Sequence, residues 1–349
     1  MKALVLHGDY DIRVEDRPAP SPGPSEVVVG VIATGICGSD FHGYSGENGR
    51  RHPGQIMGHE TVGRIREFGS AVTGLEVGQL VTINPMMVCG DCDVCRAGRA
   101  QWCSRKAVLG VTPHIPAAFA DLVVVPAGNI VPLPEEMPAE LGALIEPLAV
   151  GFHAVRRGQV APDDRVLVIG GGPIGQACLL AARREGVAAV AVSDVAASRR
   201  ALCARLGAQV IDPASADLAA TVVEALGGPA TLVVDAVGLS RTLEDAFAVS
   251  ALGARIVLVG MGAPRVDLSA YAISTEERSV IGSFTYTAEE FAATAAWVGS
   301  IPDGIEQLID GRVGWDGAPQ SFDDLARGRT SASKILVFPQ GVPSAGGSR

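Results

Sequence analysis

One feature constrains the fold more than any other: an apolar run that ends in a glycine-rich turn and continues as a helix. Val166–Ile169 has the composition of a buried strand, Gly170–Gly175 follows the pattern G-x-G-x-x-G, and Ile174–Arg184 has the composition of a helix. The first glycine permits a tight bend, the second lets backbone approach a diphosphate, and the third lets the helix pack on the strand. Free N–H groups at the helix start attract phosphate oxygens. This context predicts a dinucleotide site.

Strands and helices alternate along the chain after this turn. The predicted strands are Ala189–Ser193, Val210–Ile211, Thr231–Asp235, Ala254–Val259 and Val280–Phe284, and the predicted helices are Ala197–Leu206, Leu218–Leu226 and Arg241–Ala251. Such alternation implies right-handed crossovers between parallel strands. The region is therefore predicted to be α/β, with a doubly wound parallel sheet.

The nucleotide preference is predicted from Asp194, which ends the second strand of this region. A carboxylate at that point accepts hydrogen bonds from ribose hydroxyls and repels a 2′-phosphate, so NAD is expected in preference to NADP. Arg199, five residues on, could cover the ribose or stack on adenine, which weakens the preference without reversing it. A helix cap and a solvated surface charge are the alternatives for these two residues.

The chain is too long for one hydrophobic core. Its 349 residues exceed the roughly 250–300 at which a core stops growing, so two domains are expected. Before about residue 135, short β-like runs alternate with turns rich in glycine and proline, and a helical, mostly apolar segment follows from Pro138 to about Arg157. The β-like runs are Ala3–Leu6, Ile12–Glu15, Val27–Thr34, Thr61–Phe68, Leu80–Asn84 and Leu122–Val125. Ser333–Phe338 is a predicted strand that could rejoin this first region, before a polar tail.

Composition and charge exclude several classes of protein. Hydrophobic residues form 48% of the chain and charged residues 19%, which is too apolar for extensive disorder. The net charge of −10 argues against nucleic acid or an anionic membrane surface as a partner. No secretory signal and no transmembrane span are predicted, so we expect a cytoplasmic protein.

Four of the seven cysteines lie within fifteen residues, as Cys89-x2-Cys92-x2-Cys95-x7-Cys103. The residues between them are too polar to form a core, and four thiolates satisfy a tetrahedral structural zinc. An iron–sulfur cluster is the nearest alternative, but its usual short spacing to the fourth cysteine and the following proline are missing. A redox disulfide would not need four thiols.

A second group of metal-ligand residue types is spread along the chain. Cys37, His59 and Glu60 are all zinc ligand types, and Glu146 interrupts an apolar run where an unpaired acid would be costly. Taken singly, each residue has an ordinary explanation: a small buried thiol, a turn histidine, a surface charge, and a protonated or backbone-bonded acid.

The chain resembles the zinc-dependent medium-chain dehydrogenases, in the branch of sorbitol, threonine and 2,3-butanediol dehydrogenases. The motifs that carry the resemblance are GICGSDFH (35–42), GHETVGRIREFG (58–69), the four-cysteine lobe (89–103), IEPLAV (145–150), GGGPIG (170–175) and GSFTYT (282–287). The resemblance implies a Rossmann domain inserted into a GroES-like β-domain that is built from both chain ends. On this sequence the parts are residues 1–152, 153–287 and 288–349.

The resemblance also implies the site residues. A catalytic zinc would be held by Cys37, His59 and Glu60, with Glu146 binding directly or through water, and a second zinc by the cysteine lobe. NAD would contact the following residues: Gly170, Gly172, Pro173, Ile174, Gly175, Asp194, Arg199, Val259, Gly260, Met261, Ser283, Phe284 and Thr285. Tyr286 would contact substrate, although sorbitol dehydrogenases carry an Arg-Tyr pair where this chain has Thr285-Tyr286.

In the family, a proton relay leads from the alcohol to solvent, and it falls here on Ser39 and His42, with Glu146 as an alternative. Transfer of a proton from an alcohol of pKa about 16 to an imidazole of pKa about 7 would cost about 12 kcal/mol. A bound zinc would largely remove this cost. Ser39 could instead be a helix cap and His42 a surface histidine.

We therefore expect a zinc- and NAD-dependent dehydrogenase that oxidises a small diol, polyol or cyclitol to a ketone. A sugar or aminocyclitol dehydrogenase of secondary metabolism is the alternative, and a non-catalytic zinc- and NAD-binding module is a weaker one. The expected partner is a small-molecule alcohol or ketone, with no nucleic acid or membrane, and the expected assembly is a homodimer or homotetramer.

Overall fold

A computed structural model describes residues 1–47, 49–214 and 217–343, so the end of the predicted tail lies outside the described residues. The chain divides into two compact units. The first contains Met1–Glu146 together with Thr287–Arg349, and the second contains Pro147–Tyr286. Within the described ranges, no helix combines the length and apolar character needed to cross a membrane.

The elements are numbered along the chain. The strands are β1 (Lys2–Gly8), β2 (Asp11–Asp16), β3 (Glu26–Gly35), β4 (Glu60–Phe68), β5 (Leu80–Ile83), β6 (Met86–Met87), β7 (Ala107–Val108), β8 (Leu122–Pro126), β9 (Ile130–Pro132), β10 (Arg165–Ile169), β11 (Ala189–Ser193), β12 (Gln209–Ile211), β13 (Ala230–Asp235), β14 (Ser250–Leu258), β15 (Ser279–Gly282), β16 (Gly311–Val313) and β17 (Ile335–Val337). The helices are α1 (Gly38–Tyr44), α2 (Asp93–Arg96), α3 (Ile145–Arg157), α4 (Pro173–Arg184), α5 (Ala197–Arg205), α6 (Leu218–Leu226), α7 (Ser240–Val249), α8 (Ala270–Ser274), α9 (Ala288–Gly299) and α10 (Ala318–Ala326). Short 3-10 turns lie at Ala100–Trp102, Ala127–Asn129, Ala139–Leu144 and Ile305–Leu308.

The first unit is built on a mixed sheet in the order β16-β17-β3-β4-β5-β9, with β8 also paired to β3. Strand β3 is rich in valine and almost wholly buried, as expected for a strand covered on both faces. It pairs antiparallel with β4 on one side and with β17, from the far end of the chain, on the other. The C-terminal segment therefore completes the sheet that the N-terminal segment begins.

The second unit is a six-stranded parallel sheet in the order β12-β11-β10-β13-β14-β15. The order reverses between β10 and β13, which is the arrangement of a doubly wound sheet. The predicted α/β sheet is confirmed. The helix predicted to reach Ala251 ends at Val249 instead, because Ser250 already pairs with Ala230 of β13.

Candidate functional site

The four clustered cysteines converge in the first unit. The sulfur of Cys103 lies 3.5 Å from that of Cys89, and the pairs Cys89–Cys95 and Cys92–Cys103 are separated by 3.8 and 3.9 Å. Four thiolates at about 2.3 Å around a tetrahedral zinc would be separated by about 3.8 Å. The spacing also exceeds the roughly 2.05 Å of a disulfide bond. The donor set and its geometry therefore fit one zinc ion.

The polypeptide around these thiols has little core of its own. Helix α2 has no buried residue, and Trp102 is half exposed. The polar contacts of the polypeptide around the cysteines include surface ion pairs, such as Arg96 with Asp93 at 2.7 Å and Arg105 with Asp91. Exposed pairs contribute at most about 1 kcal/mol each, so a bound metal would be the main stabilising element of this lobe.

Cys37, His59 and Glu60 also converge, and one ligand atom from each lies within 4.8 Å of the others. Strand register explains the convergence, because Gly35 at the end of β3 pairs with Glu60 at the start of β4. Cys37 then precedes the first residue of α1. A thiolate, an imidazole and a carboxylate form a zinc donor set with room for a further ligand.

Lys334 is a buried partner of this cluster that was not predicted from the sequence. Its ammonium lies 2.6 and 2.5 Å from the two carboxylate oxygens of Glu60, and 3.5 Å from the carbonyl of Ile36. Burial opposes the charge of Lys334, but Glu60 and Cys37 more than offset this and raise the pKa of the lysine. Glu60 is thus the counter-ion of Lys334, and this role competes with its predicted role as a metal ligand. The signal in the sequence was a lysine inside the predicted strand Ser333–Phe338.

Asp40 is the second charged neighbour that sequence reasoning missed. It is fully buried at the third position of α1, where one carboxylate oxygen accepts the N–H of Cys37 at 3.1 Å. Its other oxygen lies 3.6 Å from Nδ1 of His59. A carboxylate behind a histidine orients the ring and increases its basicity towards a metal.

The same surroundings affect the protonation of His59. Burial alone would lower its pKa, but Asp40, the Cys37 sulfur and Glu146 raise the pKa of His59 to about 10. Burial raises the pKa of Asp40, against the opposing effects of His59 and Arg51. Because a ligand histidine must be neutral, metal binding at this cluster would release a proton.

Two of the predicted relay residues, Ser39 and His42, lie on α1, which follows Cys37. Ser39 accepts a hydrogen bond from the buried Arg51 at 3.3 Å. His42 is about half exposed, and its Nδ1 lies 2.6 Å from a carboxylate oxygen of Glu47. Glu146 is buried and acts on the pKa of both His59 and Lys334, but among the described residues it is not part of the group within 4.8 Å.

The predicted cofactor residues lie at the carboxyl ends of the parallel strands in the second unit. Gly170–Gly172 follow β10 and lead into α4, whose first residue is Pro173. A side chain at Gly175 would place a carbon 1.7 Å from the carbonyl oxygen of Gly170, so only glycine permits this close turn. Val259–Met261 follow β14, and Ser283–Thr285 follow β15. Ligands of doubly wound sheets bind at this edge.

Asp194 supports the glycine loop directly. One carboxylate oxygen accepts the N–H of Gly171 at 2.7 Å, and the other accepts the N–H of Ala196 at 2.7 Å. The Arg199 guanidinium lies 3.7 Å from the same carboxylate. Asp194 thus has a structural role beside any contact with a ribose.

The residues of the segment after β15 differ in exposure and in backbone conformation. Phe284 is about half exposed, Thr285 has a left-handed φ of 56°, and Tyr286 is fully buried. The buried hydroxyl of Ser283 has no hydrogen-bond partner within the described part of the chain. The assignment of Tyr286 to the substrate stays a prediction.

Comparison with known proteins places the chain in a family. Residues 23–135 match the alcohol dehydrogenase GroES-like domain, and residues 173–300 match the zinc-binding dehydrogenase domain. The chain is 32% identical to a probable D-xylulose reductase A from Emericella nidulans, over 97% of both chains.

Two solved structures are similar over nearly the whole chain. One is 2R,3R-butanediol dehydrogenase from Bacillus subtilis, at 27% identity and a TM-score of 0.87, covering 97% of this chain and 99% of that one. The other is a zinc-binding dehydrogenase from Sinorhizobium meliloti bound to NADP, at 31% identity and a TM-score of 0.88, with the same coverage. The predicted activity on a CH–OH group, with zinc and a nicotinamide cofactor, is confirmed at this level. The chain belongs to the zinc-dependent medium-chain alcohol dehydrogenase family.

Proposed function

We propose that this protein oxidises a secondary alcohol of a small diol, polyol or cyclitol to a ketone, with zinc and NAD. The observation that carries the proposal is the convergence of the partly buried Cys37 thiol with the buried His59 and Glu60, one ligand atom of each lying within 4.8 Å of the others. Ser39 follows Cys37 by two residues. The names of the relatives, a D-xylulose reductase and a butanediol dehydrogenase, support the choice of substrate class.

Two zinc ions per chain are proposed, at chemically different sites. The Cys89–Cys103 lobe would hold one with four thiolates, and Cys37, His59 and Glu60 would hold the other. Glu146, which acts electrostatically on His59, would bind that ion directly or through water. Zinc, when bound, lowers the pKa of an oxygen ligand by many units, which is the chemistry that alcohol oxidation needs. Metal analysis should give two zinc ions per chain, and a value of one in active protein would contradict this assignment.

Ser39 and His42 are proposed to move the proton of the alcohol. The Ser39 hydroxyl would accept that proton while passing on its own, and His42, which is exposed and paired with Glu47, would exchange it with solvent. Glu146 is the alternative base, since its buried carboxylate could hold a water. Lys334 would hold the Glu60 carboxylate in place through its hydrogen bonds.

NAD is proposed as the cofactor, with Asp194 setting the preference over NADP. The carboxylate already holds the loop at Gly171 and the backbone at Ala196. Its negative charge would repel a 2′-phosphate. Arg199 is the counter-argument, because an arginine beside this position can accommodate that phosphate, but its guanidinium faces the Asp194 carboxylate.

A substrate panel tests the function. Vicinal diols, polyols, cyclitols and amino alcohols would be assayed with NAD and NADP by the absorbance of the reduced cofactor. We expect turnover of a secondary alcohol, with NAD preferred. Asp194→Ala should raise the KM for NAD. The ratio of the KM for NADP to the KM for NAD should fall by about 10-fold or more, the scale of a hydrogen bond to a charged group. Equal use of both cofactors by the wild type would contradict the preference, and inactivity on the whole panel would contradict the function.

Two further expectations stay predictions: a cytoplasmic location and a homodimeric or homotetrameric assembly. Sedimentation of the purified protein would test the second.

A further inference from the structure

Arg51 is a buried cation beside the candidate metal centre, and the proposed reaction does not use it. Its side chain is 1% exposed, in the segment between α1 and β4. A guanidinium does not lose its proton in proteins, and an unpaired buried charge is costly. Something in this part of the fold must therefore compensate Arg51.

Two of its partners lie on α1, which follows Cys37. One terminal nitrogen, Nη2, donates to Ser39 Oγ at 3.3 Å and lies 3.7 Å from Asp40 Oδ1. The other, Nη1, donates to the carbonyl of Val111 at 3.3 Å. The only full charge within ion-pair distance of Arg51 is Asp40, among the residues that the structure describes.

The backbone of α1 is shaped to admit this side chain. A Cβ atom at Gly43 would lie 2.2 Å from Cγ of Arg51, so the arginine stem occupies the space that any other residue would fill. The guanidinium is thus held at one position by packing of its stem as well as by its hydrogen bonds.

The direction of these hydrogen bonds matters chemically. Arginine can only donate, so Ser39 Oγ is an acceptor towards Arg51 and must direct its own hydrogen elsewhere. Asp40 Oδ1 lies between two donors, Arg51 at 3.7 Å and His59 Nδ1 at 3.6 Å. Neither Asp40 Oδ1 nor His59 Nδ1 has a hydrogen-bond partner among the described residues. One carboxylate oxygen of Asp40 therefore faces both the Arg51 guanidinium and the imidazole of His59.

We propose that Arg51 is a positioning residue of the metal centre. It sets the polarity of the Ser39 hydroxyl, and it shares the charge of Asp40 with His59. The first effect rests on the proposed function, because it acts on the proton relay. The second depends only on metal binding by Cys37 and His59, and can be measured without any turnover.

Arg51→Met tests both effects, since it keeps the length of the stem and removes the charge and the donors. With cobalt in place of zinc, we expect the absorption bands of the Cys37–His59 site to shift, while those of the cysteine lobe stay unchanged as an internal control. Metal release from this site to a chelator should be about 10-fold faster, the lower end of the effects seen for residues behind metal ligands. Arg51→Lys should recover part of both changes.

Measurements of turnover test the proposed effect of Arg51 on Ser39. Arg51→Met should lower kcat for alcohol oxidation about 10-fold with the KM for NAD unchanged, and should have little further effect in a Ser39→Ala background. If Arg51→Met lowered kcat equally in the wild-type and Ser39→Ala backgrounds, and Arg51→Lys recovered none of the loss, the role of Arg51 would be merely structural. The proposed effect on Ser39 would then be overturned.

Gly43→Ala supplies a second route, because it displaces the arginine stem without removing its charge. It should reproduce the cobalt and kinetic changes of Arg51→Met, and the double variant should be no worse than either single one. Wild-type spectra, metal release and kcat in both single variants would overturn the proposal. If the wild type oxidised no alcohol and Arg51→Met still changed the cobalt bands, the proposed function would fail and the effect on His59 would stand.

Discussion

At the scale of single residues, the candidate metal centre is a set of buried charges that compensate one another. Glu60 is paired with Lys334, and Asp40 lies between Arg51 and His59. Buried ion pairs add little net stability, but removing one partner leaves an uncompensated charge and typically costs about 3–5 kcal/mol. Substitutions here should therefore conserve shape and, where charge itself is not being tested, charge as well.

The relay makes a testable prediction at this scale. Ser39→Ala should reduce kcat and kcat/KM together by about 10²-fold or more, because a positioned proton-transfer group is lost. His42→Ala should slow oxidation mainly below about pH 8 and recover at higher pH, where hydroxide replaces the imidazole. The measurement is a pH–rate profile for each variant.

Glu146→Gln is the matched variant for the relay, since it keeps the shape of the side chain and removes the base. A wild-type profile in His42→Ala, together with a collapsed profile in Glu146→Gln, would move the base from His42 to the carboxylate.

At the scale of elements, we expect the cysteine lobe to depend on a bound metal, whereas the Cys37 cluster lies in a sheet that has its own core. Cys92→Ser should lower stability and soluble yield, because α2 has no buried residue to hold it without zinc. Cys37→Ser should leave a folded, NAD-binding and inactive protein with one zinc. Thermal melting, NAD titration and metal analysis of both variants would check this. Equal loss of stability in the two variants would contradict the division of roles.

Helix α10 carries a pH-dependent contact. Hydrogen bonds from Arg329 and Arg327 lower the pKa of Asp323 to about 2, from 3.8. Because the folded value is the lower one, the contribution to stability is present above about pH 4 and is lost as the pH falls towards 2. The melting temperature of the wild type should therefore exceed that of Asp323→Asn at pH 7. This difference should disappear as the pH falls from about 4 towards 2.

The neighbouring Asp324→Asn is the control, since Asp324 bonds only one of these arginines, Arg329 at 2.9 Å. We expect its melting temperature to differ less from that of the wild type. A gap between wild type and Asp323→Asn that did not change with pH would count against the ion-pair origin.

At the scale of the whole molecule, the first unit is assembled from both ends of the chain. Phe322 of α10 is fully buried, and its ring centre lies 5.4 Å from that of Phe119 and 5.8 Å from that of Tyr44. Phe322→Ala should cost about 3–5 kcal/mol, the usual loss for a buried aromatic ring. Leu325→Ala on the same helix, which is only partly buried, should cost less.

Tryptophan fluorescence during urea unfolding would measure both variants. All three tryptophans of the chain, Trp102, Trp297 and Trp315, lie in the first unit, so the signal reports on that unit alone. A loss below about 1 kcal/mol for Phe322→Ala would mean that the C-terminal segment contributes little to this core.

Much of this protein could be predicted from local patterns. The strand before Gly170–Gly175 and the helix after it could be predicted, and with them a nucleotide loop, because glycine spacing and apolar periodicity act within a few residues. The spacing of Cys89 to Cys103 indicated a metal lobe for the same reason. The regular alternation of strands and helices led to the doubly wound sheet that the second unit contains.

The partners of the candidate metal centre could not be predicted in this way. Lys334 and Glu60 are 274 residues apart, and they meet only because β3 pairs with β4 and with β17 in a particular register. Arg51 reaches Ser39 only because α1 has a glycine where its stem passes. Residue types and short spacings determined which chemistry this chain carries. Strand register and side-chain packing decided which charges surround it, because a buried charge takes its partner from whatever the fold brings within a few ångströms.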